Sequence, residues 1–323
     1  MTRVCVIGVY FGLFPNYFQL WLRSCECNPS IDFFVVTDNK IQTLPSNVKK
    51  ISMTLAELKQ LAEEKIGMHL NLDTPYKCCD YKPVYGLIFE DLIHGYDYWG
   101  HCDFDLLFGD LRYFFEKYQI EKYDKFLSLG HLAFYRNTKE CNQRFRIEAK
   151  KGNSYIDSFS VPYTTQFDEL GGINAIYTQE NFPFFKKRIF VDVSINWNRI
   201  KCAEGYMDPY DSSMNSKDIN YKYQLFVWHS GKVKRFFDDG GRIQEEEFAY
   251  IHVKKRKFKD LDFNAMSATC VYICPHEFLE ADIKRTITLE IINQYNHYYG
   301  RIYEEIEKYF IRKLKGRIKR AFR

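Results

Sequence analysis

The sequence lacks the features that mark membrane-spanning, secreted and zinc-finger proteins. It contains no run of 18 apolar residues, so it predicts no transmembrane helix. Residues 1–8 lack the long apolar stretch and the small-residue cleavage site of a signal peptide. Ten cysteines are present, but none forms a Cys-x-x-Cys pair or groups with histidine at zinc-site spacing. These absences predict a cytosolic protein with free, reduced thiols.

The sequence also has no internal repeat, no Pro- or Ser-rich linker and no low-complexity tract. Its 323 residues, 46% of them hydrophobic, are enough for a large core without disulfides or a structural metal. We therefore expect one continuous catalytic body, residues 1–276, and a helical C-terminal segment, residues 277–323.

Basic residues are slightly outnumbered by acids outside the C-terminus. Eight of the 46 basic residues lie in Lys308–Arg323, which has no acid, so the rest of the chain has 38 basic and 42 acidic residues. A mildly acidic body disfavours a protein that wraps DNA over its main surface.

Strand and helix patterns alternate in the N-terminal part. Apolar runs at residues 3–10, 31–36 and 48–53 predict buried strands, and later strands are predicted at 126–135 and 188–195. Helical spacing at 16–23 and 55–66 predicts a helix after the first strand and another after the third. This alternation predicts an α/β domain with a largely parallel sheet flanked by helices. In such sheets ligands bind beyond the carboxyl ends of the strands.

Asp103 and Asp105 are the sharpest chemical signal. They end the apolar run Tyr98–Cys102, which follows a helix predicted at 83–93. Two carboxylates at i and i+2 can bind one Mn²⁺ or Mg²⁺ if the strand bends there. The alternative is a turn with two solvated acids. Asp110, the next acid, is predicted to cap the following helix.

Three further segments are candidates for donor binding. Gly8–Gly12 follows the first strand, and Tyr10 could stack on a nucleotide base, although the loop could equally need its glycines only for backbone freedom. Asp38 closes the second strand and could accept hydrogen bonds from a base or ribose, or form an Asx turn. Lys82 precedes a predicted helix and suits a phosphate, with an exposed lysine as the alternative.

Later segments supply candidate catalytic groups. A transferase needs a base near the acceptor hydroxyl, and Asp168 or Glu169 is the candidate, against the alternative of an acid pair at a helix start. His252 ends a late strand before the basic residues 254–257. It could bind a metal or a diphosphate, or be an ordinary packed histidine.

Three residues receive weaker assignments. His101 is predicted to be a core residue or a support for the site. His131 precedes an apparent strand and Arg136 ends it, and both could contact an acceptor or a phosphate.

The C-terminal tail combines charge with an apolar stripe. Ile311, Leu314, Ile318 and Phe322 recur at helical spacing among the eight cations. A basic amphipathic helix of this kind binds anionic membrane surfaces. An RNA-binding arm or a partner-docking helix is the alternative.

Several motifs together resemble one bacterial family, the polysaccharide-biosynthesis glycosyltransferases of the GT-A fold found with capsule and O-antigen genes. The motifs are Val9-Tyr-Phe-Gly12 with Pro15-Asn-Tyr-Phe18, Phe33-Phe-Val-Val-Thr-Asp38, Tyr81-Lys-Pro-Val-Tyr-Gly86, Tyr98-Trp-Gly-His-Cys-Asp-Phe-Asp105 with Phe108-Gly-Asp110, and Tyr250-Ile-His252. The resemblance covers roughly residues 4–257.

The resemblance implies a GT-A-like single Rossmann-type mixed sheet and a nucleotide-sugar donor, usually a UDP-sugar, with UDP-galactofuranose among the candidates. It implies that Asp103 and Asp105 bind Mn²⁺ or Mg²⁺ with the donor diphosphate, and that His252 is a late ligand. The tail fits a glycan or lipid-linked acceptor at the inner face of the cell membrane.

Two other functions remain open from the sequence. A nucleotidyltransferase uses similar carboxylate–metal chemistry, but its signature after the first strand carries Lys or Arg, and residues 8–14 have neither. A non-enzymatic adaptor that binds a membrane or RNA through the tail is the second alternative.

Overall fold

The computed structural model describes residues 1–169, 171–194, 199–202, 220–254, 256–282 and 284–296. Three β-sheets and the helices around them make up this part of the chain. Three predictions fall wholly or partly outside the described residues. They concern the last residue of the expected strand Arg188–Ile195, Lys255 of the basic residues 254–257, and the whole of the tail 308–323.

The largest sheet has seven strands in the order β3-β2-β1-β4-β7-β6-β8. Its first four positions are parallel, β7 runs antiparallel to both β4 and β6, and β8 is parallel to β6. The strands are β1 Val4–Val9, β2 Ile31–Thr37, β3 Val48–Ser52, β4 Tyr98–Cys102, β6 Lys125–Phe126, β7 Leu132–Arg136 and β8 Phe184–Phe185.

Helices cover both faces of this sheet because its central strands are apolar on both sides. In β1, Val4 and Val6 pack in one cluster with side chains of α1 and α5, and Cys5 and Ile7 pack in a second cluster with side chains of α2, α4 and α8. The helices are α1 Phe18–Glu26, α2 Leu55–Ile66, α3 Cys78–Tyr81, α4 Tyr85–Ile88, α5 Leu111–Tyr118, α6 Lys139–Gln143, α7 Tyr155–Ser160, α8 Ile173–Gln179 and α9 Leu289–Tyr295. The predicted α/β class, a mixed sheet flanked by helices, is confirmed.

The strands after residue 186, together with β5, form two smaller sheets. One has five antiparallel strands in the order β12-β11-β10-β14-β15, and the other has three strands in the order β5-β13-β9. Their bounds are β5 Leu106–Phe108, β9 Val191–Asp192, β10 Gln224–His229, β11 Lys232–Asp239, β12 Arg242–Phe248, β13 Tyr250–His252, β14 Cys270–Ile273 and β15 Phe278–Glu280. Trp228 joins the sheets by donating its indole N–H to the Phe108 carbonyl at 2.9 Å.

Several predicted bounds differ from the structure. The expected strand at 126–135 is two antiparallel strands, β6 and β7, because the chain reverses at 127–131. The expected helix at 83–93 is only a turn of 3₁₀ helix and the single turn α4, because the backbone leaves the helical conformation at Phe89. The C-terminal segment is not helical from residue 277, because β15 pairs with β14 before α9 begins at Leu289.

Local sequence signals determine where the helices α2 and α5 begin. Thr54 and Glu57 form a capping box at the start of α2. The Asp110 carboxylate accepts the Tyr113 backbone N–H at 2.9 Å, which confirms its predicted role as the cap of α5.

Candidate active site

The site lies where the order of the parallel strands reverses. β2 and β4 both pair with β1, so the crevice between β1 and β4 opens at their carboxyl ends, where Gly8 faces Cys102. Ligands of open α/β sheets bind in such a crevice. Asp103 follows β4 at this position.

The backbone bends after β4 and turns both carboxylates to one side. Phe104 is buried between them, and its ring lies where a side chain on Gly8 would stand, 2.6 Å from an added Cβ. Gly8 therefore leaves room for Phe104, whose ring also packs on Trp21 at 4.7 Å between centroids. With Phe104 anchored in the core, Asp103 and Asp105 stay partly exposed.

Lys82 is buried and paired, which excludes the alternative of an exposed lysine. Its Nζ donates to Asp103 Oδ1 at 2.6 Å and to the Gly130 carbonyl at 2.8 Å, and lies 3.6 Å from Asp168 Oδ2. Burial opposes its charge, but Coulombic attraction to Asp103, Cys79 and Asp168 outweighs burial and raises the pKa of Lys82 well above its ordinary value. The ammonium group is a fixed counter-ion of the site's acids.

Asp168 and Glu169, the predicted base candidates, lie beside Lys82 and Gly130. Asp168 is buried, and burial raises its pKa to about 8 although Lys82 acts in the opposite direction. Glu169 is partly exposed and accepts the Gly130 backbone N–H at 3.1 Å. Gly130 is required here, since an added Cβ would stand 2.1 Å from Asp168 Oδ2.

His252 reaches the site from the three-stranded sheet. β13 pairs with β5, so His252 stands opposite Leu106, next to Asp105 in the chain. Its Nε2 lies 3.3 Å from Asp105 Oδ1, and its Nδ1 lies 2.8 Å from Asp192 Oδ1. Burial alone would lower the pKa of His252, but attraction to Asp105 and hydrogen bonds to both acids raise it to about 10.

A second histidine packs on the first. The ring centroids of His131 and His252 are 4.2 Å apart, and Tyr250 Oη lies 3.1 Å from His131 Nδ1. Burial and the neighbouring His252 lower the pKa of His131 well below its ordinary value, so it is neutral. The sequence predicted that His131 could contact an acceptor or a phosphate, and it did not predict the packing of His131 on His252.

Asp192 is the site residue that sequence reasoning missed. It is a buried acid in the two-residue strand β9, flanked by Val191 and Val193. Burial would raise its pKa, but its hydrogen bond with His252 and the charges of His252 and Lys254 hold it well below the usual range. An acid between buried valines was the signal that could have found it.

The remaining predicted residues divide between the two ends of the large sheet. Tyr10 lies near the site, with its ring 5.2 Å from that of Phe104, and Asp38 is exposed after β2 at the same edge. Arg136 is not at the site, because β7 is antiparallel and pairs Arg136 with Tyr98 at the opposite end of β4. His101 is a fully buried residue of β4, as predicted.

The donor set at the end of β4 suits a divalent cation. Asp103, Asp105 and His252 each offer a ligand atom, and these atoms lie within 4.8 Å of one another. Carboxylate oxygens suit Mn²⁺ and Mg²⁺, and imidazole nitrogen adds a ligand that transition metals accept, so Mn²⁺ fits both donor types. His131, Asp192 and His252 form a second group with the same spacing, deeper in the protein.

Together these features define an α/β protein with a carboxylate–histidine site at the switch point of a mixed sheet. The chain belongs to the family of unknown function DUF6625, whose model matches residues 6–282. No curated protein matches the sequence.

Solved structures to which the chain is similar are glycosyltransferases. The galactosyltransferase LgtC, solved with donor and acceptor sugar analogues, has a TM-score of 0.32 and 10% identity over 58% of this chain and 75% of its own. Mouse xyloside xylosyltransferase 1, in its apo form, has a TM-score of 0.40 and 8% identity over 78% of this chain and 98% of its own. The glycosyltransferase GlyE of Streptococcus pneumoniae TIGR4 has a TM-score of 0.30 and 10% identity over 58% of this chain and 45% of its own.

Within the described residues, the helices fall short of the length and apolar character needed to cross a bilayer.

Proposed function

We propose that this protein is a metal-dependent glycosyltransferase that uses a nucleotide-sugar donor. The observation that carries the proposal is the convergence of Asp103, Asp105 and His252 at the carboxyl end of β4, in the switch-point crevice. The Asp-x-Asp pair, the late histidine and the first-strand aromatic loop are also the motifs through which the sequence resembles the polysaccharide-biosynthesis transferases.

Asp103, Asp105 and His252 would hold Mn²⁺ or Mg²⁺. When bound, the cation supplies positive charge that stabilises the diphosphate leaving group. Lys82 holds Asp103 in place from the protein side. Tyr10 and Asp38 are the proposed contacts for the base and the ribose. Lys82 is the proposed cation nearest the diphosphate, and His252 is the proposed late ligand of the metal or the diphosphate.

The transfer joins the acceptor oxygen to the anomeric carbon of the donor sugar. The bond from that carbon to the diphosphate oxygen breaks, and its electron pair leaves with the nucleoside diphosphate. The proton of the acceptor hydroxyl passes to a carboxylate if the reaction inverts configuration. Between the two candidates, Glu169 is partly exposed and Asp168 is buried behind Lys82, so Glu169 is the base we favour.

We also propose the acceptor class and the place of action. A UDP-sugar, including UDP-galactofuranose, would be transferred to a growing cell-surface polysaccharide of capsule or O-antigen type, or to its lipid-linked precursor. The cationic tail 308–323 would hold the enzyme at the anionic inner face of the cell membrane.

Donor hydrolysis tests this function without knowledge of the acceptor, because water can replace the acceptor hydroxyl. We expect Mn²⁺-dependent release of nucleoside diphosphate from at least one of UDP-glucose, UDP-galactose, UDP-galactofuranose and GDP-mannose. Asp105→Asn should lower that release by more than about 100-fold, as expected for lost electrostatic stabilisation.

The matched control is Asp110→Asn, which changes an acid five residues further along the chain. Asparagine caps a helix as well as aspartate does, so this variant should keep both fold and activity. Release from none of the four donors, or equal release by Asp105→Asn and wild type, would contradict the proposal.

A further inference from the structure

The three-stranded sheet brings Asp192 to the candidate site. β13 pairs in parallel with β9, and the register places His252 opposite Asp192. β13 pairs with β5 on its other side, so His252 lies between Asp192 of β9 and Asp105, which directly precedes β5. Asp192 is 60 residues from His252 in the chain, and this pairing alone brings them together.

The two ring nitrogens of His252 face different acids. Nδ1 lies 2.8 Å from Asp192 Oδ1, and an ionised carboxylate only accepts, so Nδ1 carries the proton and donates it. Nε2 is then the nitrogen that faces Asp105 and the metal-binding group. The hydrogen bond to Asp192 thereby determines that Nε2, and not Nδ1, faces the metal-binding group.

Asp192 is itself held in place. Its second oxygen, Oδ2, accepts from Lys254 Nζ at 2.9 Å. The ring of His131 packs on the ring of His252 from the side, and Tyr250 holds His131. With both of its oxygens bonded, Asp192 is better placed to orient His252 than to bind a cation.

We infer that Asp192 is a positioning residue, which fixes the tautomer and ring orientation of His252 so that Nε2 is available as a metal ligand. The inference rests on the proposed function, since it requires the metal to bind at Asp103, Asp105 and His252. A carboxylate behind a ligating histidine also makes the imidazole a stronger ligand, and loss of such a partner lowers metal affinity by roughly 10- to 100-fold.

The test is a titration of the purified full chain with Mn²⁺ alone, followed by the electron paramagnetic resonance signal of free Mn²⁺. Asp192→Ala should weaken Mn²⁺ binding by roughly 10- to 100-fold. Asp192→Asn should keep most of the affinity, because the amide oxygen still accepts the Nδ1–H. This rescue by the conservative variant is a result that a merely structural role of Asp192 would not produce.

The matched control is Asp124→Ala. Asp124 is a similarly buried aspartate that pairs with two cations, Arg136 and Arg144, but it lies at the opposite end of the sheet. Its loss should lower thermal stability and leave Mn²⁺ affinity at the wild-type value.

Three outcomes would overturn the inference, and each points to a different cause. Wild-type affinity in Asp192→Ala, with binding lost in Asp103→Asn/Asp105→Asn, would leave the proposed function intact and remove only the role of Asp192. If Mn²⁺ binding survives the double variant but is lost in Asp192→Ala and His131→Ala, the cation binds the group His131, Asp192 and His252. That result would overturn both the proposed metal site and this inference. Absence of Mn²⁺ binding by the wild-type chain would remove the metal site and this inference with it.

Discussion

Lys82 is the charge on which the arrangement of acids depends. It contacts Asp103 and lies near Asp168, and all three side chains are wholly or partly removed from water. Its loss would leave the Asp103 carboxylate and the Gly130 carbonyl without their donor. The ammonium group of Lys82 is therefore fixed at the centre of the site. A donor phosphate that binds Lys82 would share this ammonium group with Asp103 and Asp168.

Lys82→Met should destabilise the fold by about 1–3 kcal/mol, because it leaves the partly buried Asp103 carboxylate and the buried Gly130 carbonyl without their donor. Urea unfolding measures this loss directly. The control is Lys59→Met, since Lys59 pairs with the largely exposed Asp73 and such surface pairs contribute about 0–1 kcal/mol. Equal losses in the two variants would show that Lys82 is not a structural counter-ion.

Asp168 should make stability depend on pH. Its pKa in the folded chain is about 8, above the ordinary value near 3.9, so between these values the folded chain holds a proton that the unfolded chain has lost. The contribution of Asp168 to stability is therefore present at low pH and lost as pH rises through this window. Urea midpoints between pH 5 and pH 8 should fall less steeply in Asp168→Asn than in wild type.

The control for this pH series is Asp91→Asn, which changes an aspartate whose side chain is 92% exposed. The slope of its urea midpoint against pH should match that of wild type. If the Asp168→Asn slope also matched, Asp168 would be ionised in the folded protein at neutral pH.

A buried ion pair fixes the segment that carries Asp168 and Glu169. Lys77 and Asp80 pair at 2.7 Å, and Lys77 Nζ also donates to the carbonyls of Ser158 and Tyr163. Asp80 accepts the backbone N–H groups of Thr165 and Phe167. Residues just before the candidate base are thus tied to the element that precedes Lys82.

Asp80→Asn should loosen this segment, because an amide has one acceptor oxygen where the carboxylate has two. An unsatisfied buried N–H costs about 1–3 kcal/mol, so the Thr165 and Phe167 amides should exchange roughly 5- to 150-fold faster with deuterium. Hydrogen exchange read by NMR or mass spectrometry checks this. Asp73→Asn on the exposed surface is the control, and unchanged protection of both amides in Asp80→Asn would contradict the account.

The elements that the sequence predicts well are those with local signals. The strand–helix alternation of residues 3–66 and the cap at Asp110 follow from apolar spacing and from one side-chain hydrogen bond. Asp192 and the direction of β7 could not be predicted in this way. β9 has two residues and gains its partner from β13, and the reversal at 127–131 moves Arg136 to the far end of the sheet. Both depend on long-range pairing that no local pattern records.

The whole chain joins an acidic body to a cationic end. The described residues contain the proposed site, and the tail lies outside them. Four apolar side chains at helical spacing among eight cations fit an anionic lipid surface.

Deletion of residues 308–323 should abolish sedimentation with vesicles containing phosphatidylglycerol and leave donor hydrolysis unchanged. Binding by the full chain should weaken as salt rises, because screening shortens the reach of the tail's charges to about 8 Å at 0.15 M. Vesicles of phosphatidylcholine alone are the control. Equal binding to both vesicle types, or loss of hydrolysis on deletion, would contradict a membrane role for the tail.

The most direct test of the central claim is thermal unfolding of the full chain with UDP, in the presence and absence of Mn²⁺. A ligand at about 100 times its dissociation constant adds about 2.7 kcal/mol, which for a chain of this length raises Tm by roughly 4 °C. The account predicts a rise with UDP that requires Mn²⁺, disappears in Asp103→Asn and remains in Asp110→Asn. A Tm that UDP leaves unchanged with and without Mn²⁺, or an equal rise in Asp103→Asn, would contradict a nucleotide–metal site at the end of β4.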